Sequence, residues 1–427
     1  MGTFQVGLLL IGTFALLLAL SVPVSVSIII SSVVTMASNL SLDLGTFVAS
    51  QRMVGGVDSF SLLAVPFYIL CGVLMNTGGI AQKLIDFAKI LVGRIPGGLA
   101  HTNILGNTLF GSLSGSSVAA SVAIGEEKEG YDKKFAAAVN IASAPTGLII
   151  PPSGILIIYP VLAGCSVVGM IMSGYIPGLM WALACMVVAY VIAKKNHYPT
   201  AGKVPASVFF KYFVDAIPSL LLIVIIVGGV MSGIFTATES AAVAVAYTLF
   251  LSIVVYRSIK IKDLPKILLD ACETTAVIMF LIAGSNVMSF VMSFTGLPSA
   301  IGNALISVSS NKYVILLIIN LVLLVVGCFM DITPAVLIFT PIFLPVVQSF
   351  GMDPIHFGIM MVMNLGIGNI TPPVGSALFS GCSVADMDME DMIKPILPFY
   401  AAIFVALMLV AYVPWFSMAL PTLFGAV

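Results

Sequence analysis

Thr146-Gly147-Leu148-Ile149-Ile150-Pro151-Pro152-Ser153-Gly154 and Ile367-Gly368-Asn369-Ile370-Thr371-Pro372-Pro373-Val374-Gly375 both set a double proline inside an apolar run, 221 residues apart. Proline removes a backbone donor and biases the preceding residue away from helical geometry, so each stretch breaks a helix. On either side of the breaks, the same offset relates Gly106 to Gly327 and Pro177 to Pro398. Gly164-Cys165-Ser166-Val167 recurs as Gly381-Cys382-Ser383-Val384 at 217, and Thr77-Gly78 as Thr295-Gly296 at 218. Matches in this order at nearly one offset mark a duplication. The first repeat covers residues 1–195, a cytoplasmic linker 196–211, and the second repeat 212–427.

Composition fixes the solvent. Of 427 residues, 60% are hydrophobic and 8% charged, against about a quarter charged in soluble domains. Phe135 to Ala193 runs 59 residues without Asp, Glu, Lys, Arg or His, far beyond the ~20 needed to cross a bilayer. The net charge of -1 says nothing about nucleic acid, and no basic patch has the clustering that phosphate contacts require. Six cysteines lie scattered without a CxxC pair, and read as small packing residues. The N-terminus has no basic region of the cleaved-signal kind. It reads as a retained membrane segment broken near Pro23. His101, His197 and His356 form no metal spacing, and the absence of a phosphate loop argues against ATP-driven pumping.

Each half has one layout. Two spans come first (4–20 and 24–39; 212–234 and 238–256), then a third (60–76; 271–292) and a shorter helix (80–94; 297–310). In the first half that short helix carries Lys83, Asp86, Lys89 and Arg94, as an interfacial arm would. An interrupted segment (98–125; 313–350), a span split by the double proline (135–165; 357–383) and a last span (173–193; 395–415) complete each half. If the interrupted segments are re-entrant hairpins, each half crosses five times, and the second half is upside down. With the N-terminus outside, 15 of the 17 basic residues fall on the cytoplasmic side, leaving only Arg52 and Lys312 outside. The expected fold is therefore an all-α polytopic membrane protein of two inverted repeats with re-entrant hairpins and broken helices, as in elevator-type ion transporters.

Breaks in lipid need partners for the freed N–H and C=O groups, and they persist where they line a site. Four stand out: Gly111-Ser112-Leu113-Ser114-Gly115-Ser116-Ser117, Met330-Asp331-Ile332-Thr333-Pro334, and the two split spans. Their carbonyls and hydroxyls suit a hard cation. The serine–glycine run also fits plain helix packing. Asp331 is the only charge between Lys312 and Asp353. It is a candidate functional carboxylate or a helix N-cap, and the roles can coexist. Glu239 and Glu273 read as interfacial charges, and Arg52 as a candidate docking charge on the outer face.

The run Gly106-Asn107-Thr108-Leu109-Phe110-Gly111-Ser112-Leu113-Ser114-Gly115-Ser116-Ser117, the Pro151-Pro152-Ser153-Gly154 break, Met330-Asp331-Ile332-Thr333-Pro334 and Thr371-Pro372-Pro373-Val374-Gly375 together resemble the large membrane subunit of tripartite ATP-independent periplasmic (TRAP) transporters, the DctM-like family. The resemblance covers essentially the whole chain and is closest to the sialic acid (SiaM) type. It implies a bacterial inner-membrane protein with an elevator mechanism and sodium coupling. It also implies two partners, a separate small four-helix membrane subunit and a soluble periplasmic binding protein that delivers a small organic anion. One sodium site is implied at Ser112, Ser114, Ser116, Thr146 and Gly147. The other is implied at Asp331, Thr333, Gly366, Asn369 and Thr371. Ser153 and Ser166, with Asp331, are candidates for facing the substrate. A stand-alone sodium/dicarboxylate symporter is the alternative, a channel a weaker one, and no catalytic constellation suggests an enzyme.

Overall fold

The computed structural model describes residues 2–114, 131–151, 153–198, 206–309 and 311–426. Along its helix Tyr175–Lys195, Leu179, Leu183, Val187 and Val191 stand exposed, while Trp181, Ala182, Cys185 and Ala189 are buried. A spacing of four puts residues on one helix face. The helix thus turns one apolar stripe inward and another outward, where hydrocarbon tolerates it and water would not. Among the described residues eight helices are long and apolar enough to cross a bilayer, and none forms a strand. The chain is an all-α polytopic membrane protein.

Two short helices, α1 (Thr3–Ala19) and α2 (Val24–Ala37), pack together across a turn in which Ser21 has a φ of +61°. The sequence predicts a connection after them; the structure has a helix, α3 (Leu42–Val57), capped by Ser41. Asp43, Ser50, Gln51, Arg52 and the pair Gly55-Gly56 deny this stretch a spanning pattern. It is held instead by a small satellite core, in which Ala49 meets Met36 of α2 and Val287 and Val291 of the long helix Leu264–Phe294. A 3-10 turn (Phe60–Leu63) leads to α4 (Ala64–Thr77), and Gly79, at φ +73°, turns the chain into α5 (Ile80–Val92). A side chain there would cost roughly 1–2 kcal/mol. α5 buries Ile80, Ala81, Leu84, Ile85 and Ala88 and keeps its charges on the other side.

α6 (Gly98–Ser114) is the first hairpin arm. The first broken helix comes next as α7 (Lys133–Ser143), α8 (Thr146–Ile149) and α9 (Ile155–Ala163), then α10 (Val167–Ser173) and α11 (Tyr175–Lys195). The return arm of the 98–125 hairpin, Ser116, Lys128, Pro152 and linker residues 199–205 lie outside the described residues.

The second half runs α12 (Ala206–Met231), α13 (Ala237–Phe250) and α14 (Leu264–Phe294). Gly296, at φ +70°, then turns into α15 (Leu297–Val308) as Gly79 turns into α5. The second hairpin is α16 (Lys312–Phe329) and α17 (Ile332–Ser349); the second broken helix is α18 (Pro354–Asn369) and α19 (Ser376–Val384). The last span begins earlier than expected, as α20 (Met389–Tyr412), with a short α21 (Trp415–Leu423) after it.

The broken helices form the centre: residues 137–150 and 355–369 are buried without exception. They run in opposite senses. Lys133, opening α7, donates to the Asp386 carbonyl beyond α19 (2.8 Å), and Lys134 pairs with Asp391 (2.7 Å). At the other end, the Tyr159 hydroxyl of α9 donates to the Pro354 carbonyl opening α18 (2.6 Å).

Candidate functional site

The second break assembles around a glycine contact. A Cβ on Gly368 of α18 would sit 2.5 Å from the Cα of Gly327 in α16. With no side chain on either, the backbones close up, and the Cys328 carbonyl accepts from Val374 N (3.3 Å) and Gly375 N (3.2 Å). Gly375 has φ +41°, and its missing Cβ leaves room for the carbonyls of Asn369 and Thr371. Next in the chain, Ser376 Oγ lies 2.5 Å from Asn369 Oδ1 and 3.3 Å from Asp331 Oδ1. A hydroxyl has one proton and serves one acceptor at a time. Asp331 and Asn369 thus converge on Ser376, with the Thr371 carbonyl alongside, as hard oxygen donors of the kind that hold hard cations. The Thr371 hydroxyl donates to Ile367 O (2.6 Å), and Tyr400 OH bonds the Ile370 carbonyl, steadying the break.

Asp331 occupies the N-cap position of α17, yet its side chain makes no cap hydrogen bond to that helix. It faces Ser376 across the gap instead, and is exposed. Thr333 lies in the first turn of α17. Gly366 is not gathered here: a Cβ on it would lie 3.4 Å from Pro145 Cβ and from the Trp181 ring, so it marks where the two breaks meet.

The first break is buried. Thr146 Oγ1 donates to Ser143 O (2.7 Å) and accepts from Thr108 Oγ1 of α6 (3.4 Å). Gly147 comes next inside the short α8, also buried. Asn107 Nδ2, also on α6, faces Ser143 Oγ (2.7 Å), Asn140 Oδ1 (3.1 Å) and Asn140 O (3.2 Å). Ser153 is fully buried, and its hydroxyl has no partner among the described residues. Ser112 and Ser114 close α6, and their side chains lie outside the described part of the chain.

Sequence reasoning missed the asparagines. In the second half Asn364 Nδ2 of α18 donates to Asn320 Oδ1 (2.8 Å) and Asn320 O (2.9 Å) of α16. Each broken helix is thus joined to its hairpin arm by a buried carboxamide pair, and Asn107 Oδ1 and Asn364 Oδ1 remain unpartnered among the described residues. A lone Asn320 within Val314–Val326, otherwise wholly apolar, was the available signal. Ser376, one residue past the Thr371–Gly375 motif, was missed too.

Ser166 is placed elsewhere. Its hydroxyl caps α10 by accepting from Gly169 N (3.0 Å), and a Cβ on that glycine would meet Ile355 at the start of α18. The second break lies at the far end of that 16-residue helix, about 20 Å away. Arg52 stacks over the Phe290 ring at 4.2 Å, apart from both breaks. His356 bonds Ser417 Oγ (2.7 Å) and Ala411 O (3.3 Å), tying α18 to the last turns of the chain. Glu239 closes a capping box with Thr236 at the start of α13, as a helix-end charge.

Residues 11–416 match the family described as tripartite ATP-independent periplasmic transporter, DctM component. The chain is 50% identical over 425 residues to the protein YgiK of Salmonella typhimurium, covering 98% of each. It is 40% identical over 382 residues to the sialic acid TRAP transporter large permease protein SiaM of Vibrio cholerae, covering 88% of this chain and 90% of the other. It is 39% identical over 374 residues to the C4-dicarboxylate TRAP transporter large permease protein DctM of Pseudomonas aeruginosa, covering 86% and 88%. In fold it is similar to the YdaH transporter of Alcanivorax borkumensis, with a TM-score of 0.66 at 13% identity over 88% and 90% of the two chains.

Proposed function

The chain belongs to the DctM family of TRAP transporters, large permeases of the bacterial inner membrane, and from that premise we propose that it drives sodium-coupled uptake of a small organic anion by an elevator motion. One observation carries the proposal. Two oppositely running broken helices each meet a hairpin arm through polar contacts, and at the second break Asp331, Asn369 and Ser376 bring their oxygens together. A carboxylate among carbonyls suits a monovalent hard cation. Its occupancy would change the charge at the mouth where an anion enters.

The second sodium site on this proposal is Asp331, Asn369 and Thr371 with Ser376 added, Thr333 flanking. The first uses Thr146 and Gly147 with the serines Ser112, Ser114 and Ser116. Sialic acid and C4-dicarboxylates, the substrates named for two of the relatives, are small carboxylates, which supports the anion class. Sialic acid is our choice on the motif resemblance, and Ser153 beside the first break is the hydroxyl offered to it. α1–α4 and α12–α14 would act as scaffold, turning at Gly79 and Gly296 while hairpins and broken helices move. A small membrane subunit would brace that scaffold, and a periplasmic binding protein would deliver the anion.

Liposomes holding this chain and the small subunit test the proposal. Sialic acid uptake is expected only with sodium outside and the binding protein present. Rapid uptake of free substrate by the chain alone would instead make it a stand-alone symporter.

A further inference from the structure

Between α3 and α14 lies a cleft of about 550 Å³ whose lining includes Gln51, Arg52, Gly55, Asn286, Ser289 and Ser293. The Arg52 guanidinium carbon lies over the Phe290 ring, 4.2 Å from its centre, and the group makes no ion pair among the described residues. A guanidinium in contact with a ring still has N–H groups to offer a bidentate acceptor, which is how arginine holds phosphate. Gln51, Ser289 and Ser293 add polar side chains to the same lining. Gly55 is an exposed part of the lining, and a Cβ there would meet nothing within 4 Å, so a larger side chain has room.

Depth and surroundings indicate the occupant. Phe290 stands four residues before the end of α14 at Phe294, about 6 Å along the axis, a depth that suits a headgroup. Leu42, Leu44, Phe47 and Val54 stand exposed along α3, the helix that carries Arg52, as does Phe294 at the end of α14. A site with one cation, polar neighbours and an apolar rim matches a molecule carrying a phosphodiester on hydrocarbon chains. We propose that the cleft between α3 and α14 binds the headgroup of an anionic membrane phospholipid, seated on Arg52.

Native mass spectrometry of the full chain in mild detergent, titrated with phosphatidylglycerol, tests this. Arg52→Gln removes the charge and keeps the cleft. Gly55→Leu fills the cleft and keeps the charge, at a helical position where leucine is favoured over glycine. Each should weaken the lipid adduct about fivefold, with Arg257→Gln, on another exposed arginine, unchanged. Thermal unfolding of both variants checks that the fold is kept. Undiminished adduct in Arg52→Gln overturns the proposal. So does a photocrosslinker at Ser289 that captures a helix of the small membrane subunit rather than lipid.

Discussion

Gly327 and Gly368 touch backbone to backbone: a Cβ on either would lie 3.0 Å or less from the other's Cα. The hairpin arm and the broken helix are both buried at this point and cannot simply draw apart. Gly368→Ala should therefore cost about 1–3 kcal/mol, read as a lower unfolding temperature in detergent, and should stop uptake. Gly302→Ala, whose Cβ would meet only Val346 at 3.4 Å, should unfold like the parent. Equal melting of Gly368→Ala and the parent would mean the two helices do not meet there.

The carboxamide pairs should hold each hairpin to its broken helix. Truncating Asn364 to Ala removes the donor from Asn320 Oδ1, leaving a buried side-chain acceptor unpaired, and also removes the second bond, to Asn320 O. The expected loss is about 1–3 kcal/mol. Asn107→Ala should behave alike, since Asn140 and Ser143 lose the same donor. A thermal melt of either variant matching the parent would deny these pairs a structural role.

How much of the site was legible in the sequence depended on how local each signal is. The breaks were legible because proline and glycine act within a residue or two of themselves, and the offset of 221 paired them. α3 was not, because its stability comes from Val287 and Val291, more than 200 residues away, rather than from its own hydropathy. Asn320 and Asn364 lie 44 residues apart, so their pairing appears only once α16 and α18 pack. Ser166 sits away from the breaks because the repeated Gly-Cys-Ser-Val lies at the far end of each half-helix. Asp331 was singled out as an unusual charge, but its partner Ser376 needed the fold to find it.

Ser376→Ala should raise the sodium concentration for half-maximal uptake about tenfold, leaving the maximal rate nearly intact. It removes the hydroxyl between Asn369 and Asp331 without disturbing a helix–helix contact. An unchanged sodium dependence would place the ion elsewhere.

Opposed topology of the halves is tested by labelling. In a background lacking the native cysteines, Asp132→Cys, beside Lys133, should react only from the cytoplasm. Asn311→Cys, at the start of α16, should react only from the periplasm. Labelling of both from one side would contradict the inverted arrangement.

Binding of radioactive sodium to the purified chain, compared between the parent and Asp331→Asn, addresses the coupling site without any need for transport. Asp331 is the only carboxylate at the second break among the described residues, and it is uninvolved in capping its own helix. Neutralising it should weaken sodium binding at least about tenfold while the variant unfolds at the parent's temperature. Sodium binding of parental affinity and amount in Asp331→Asn would contradict the assignment of this break as the ion site.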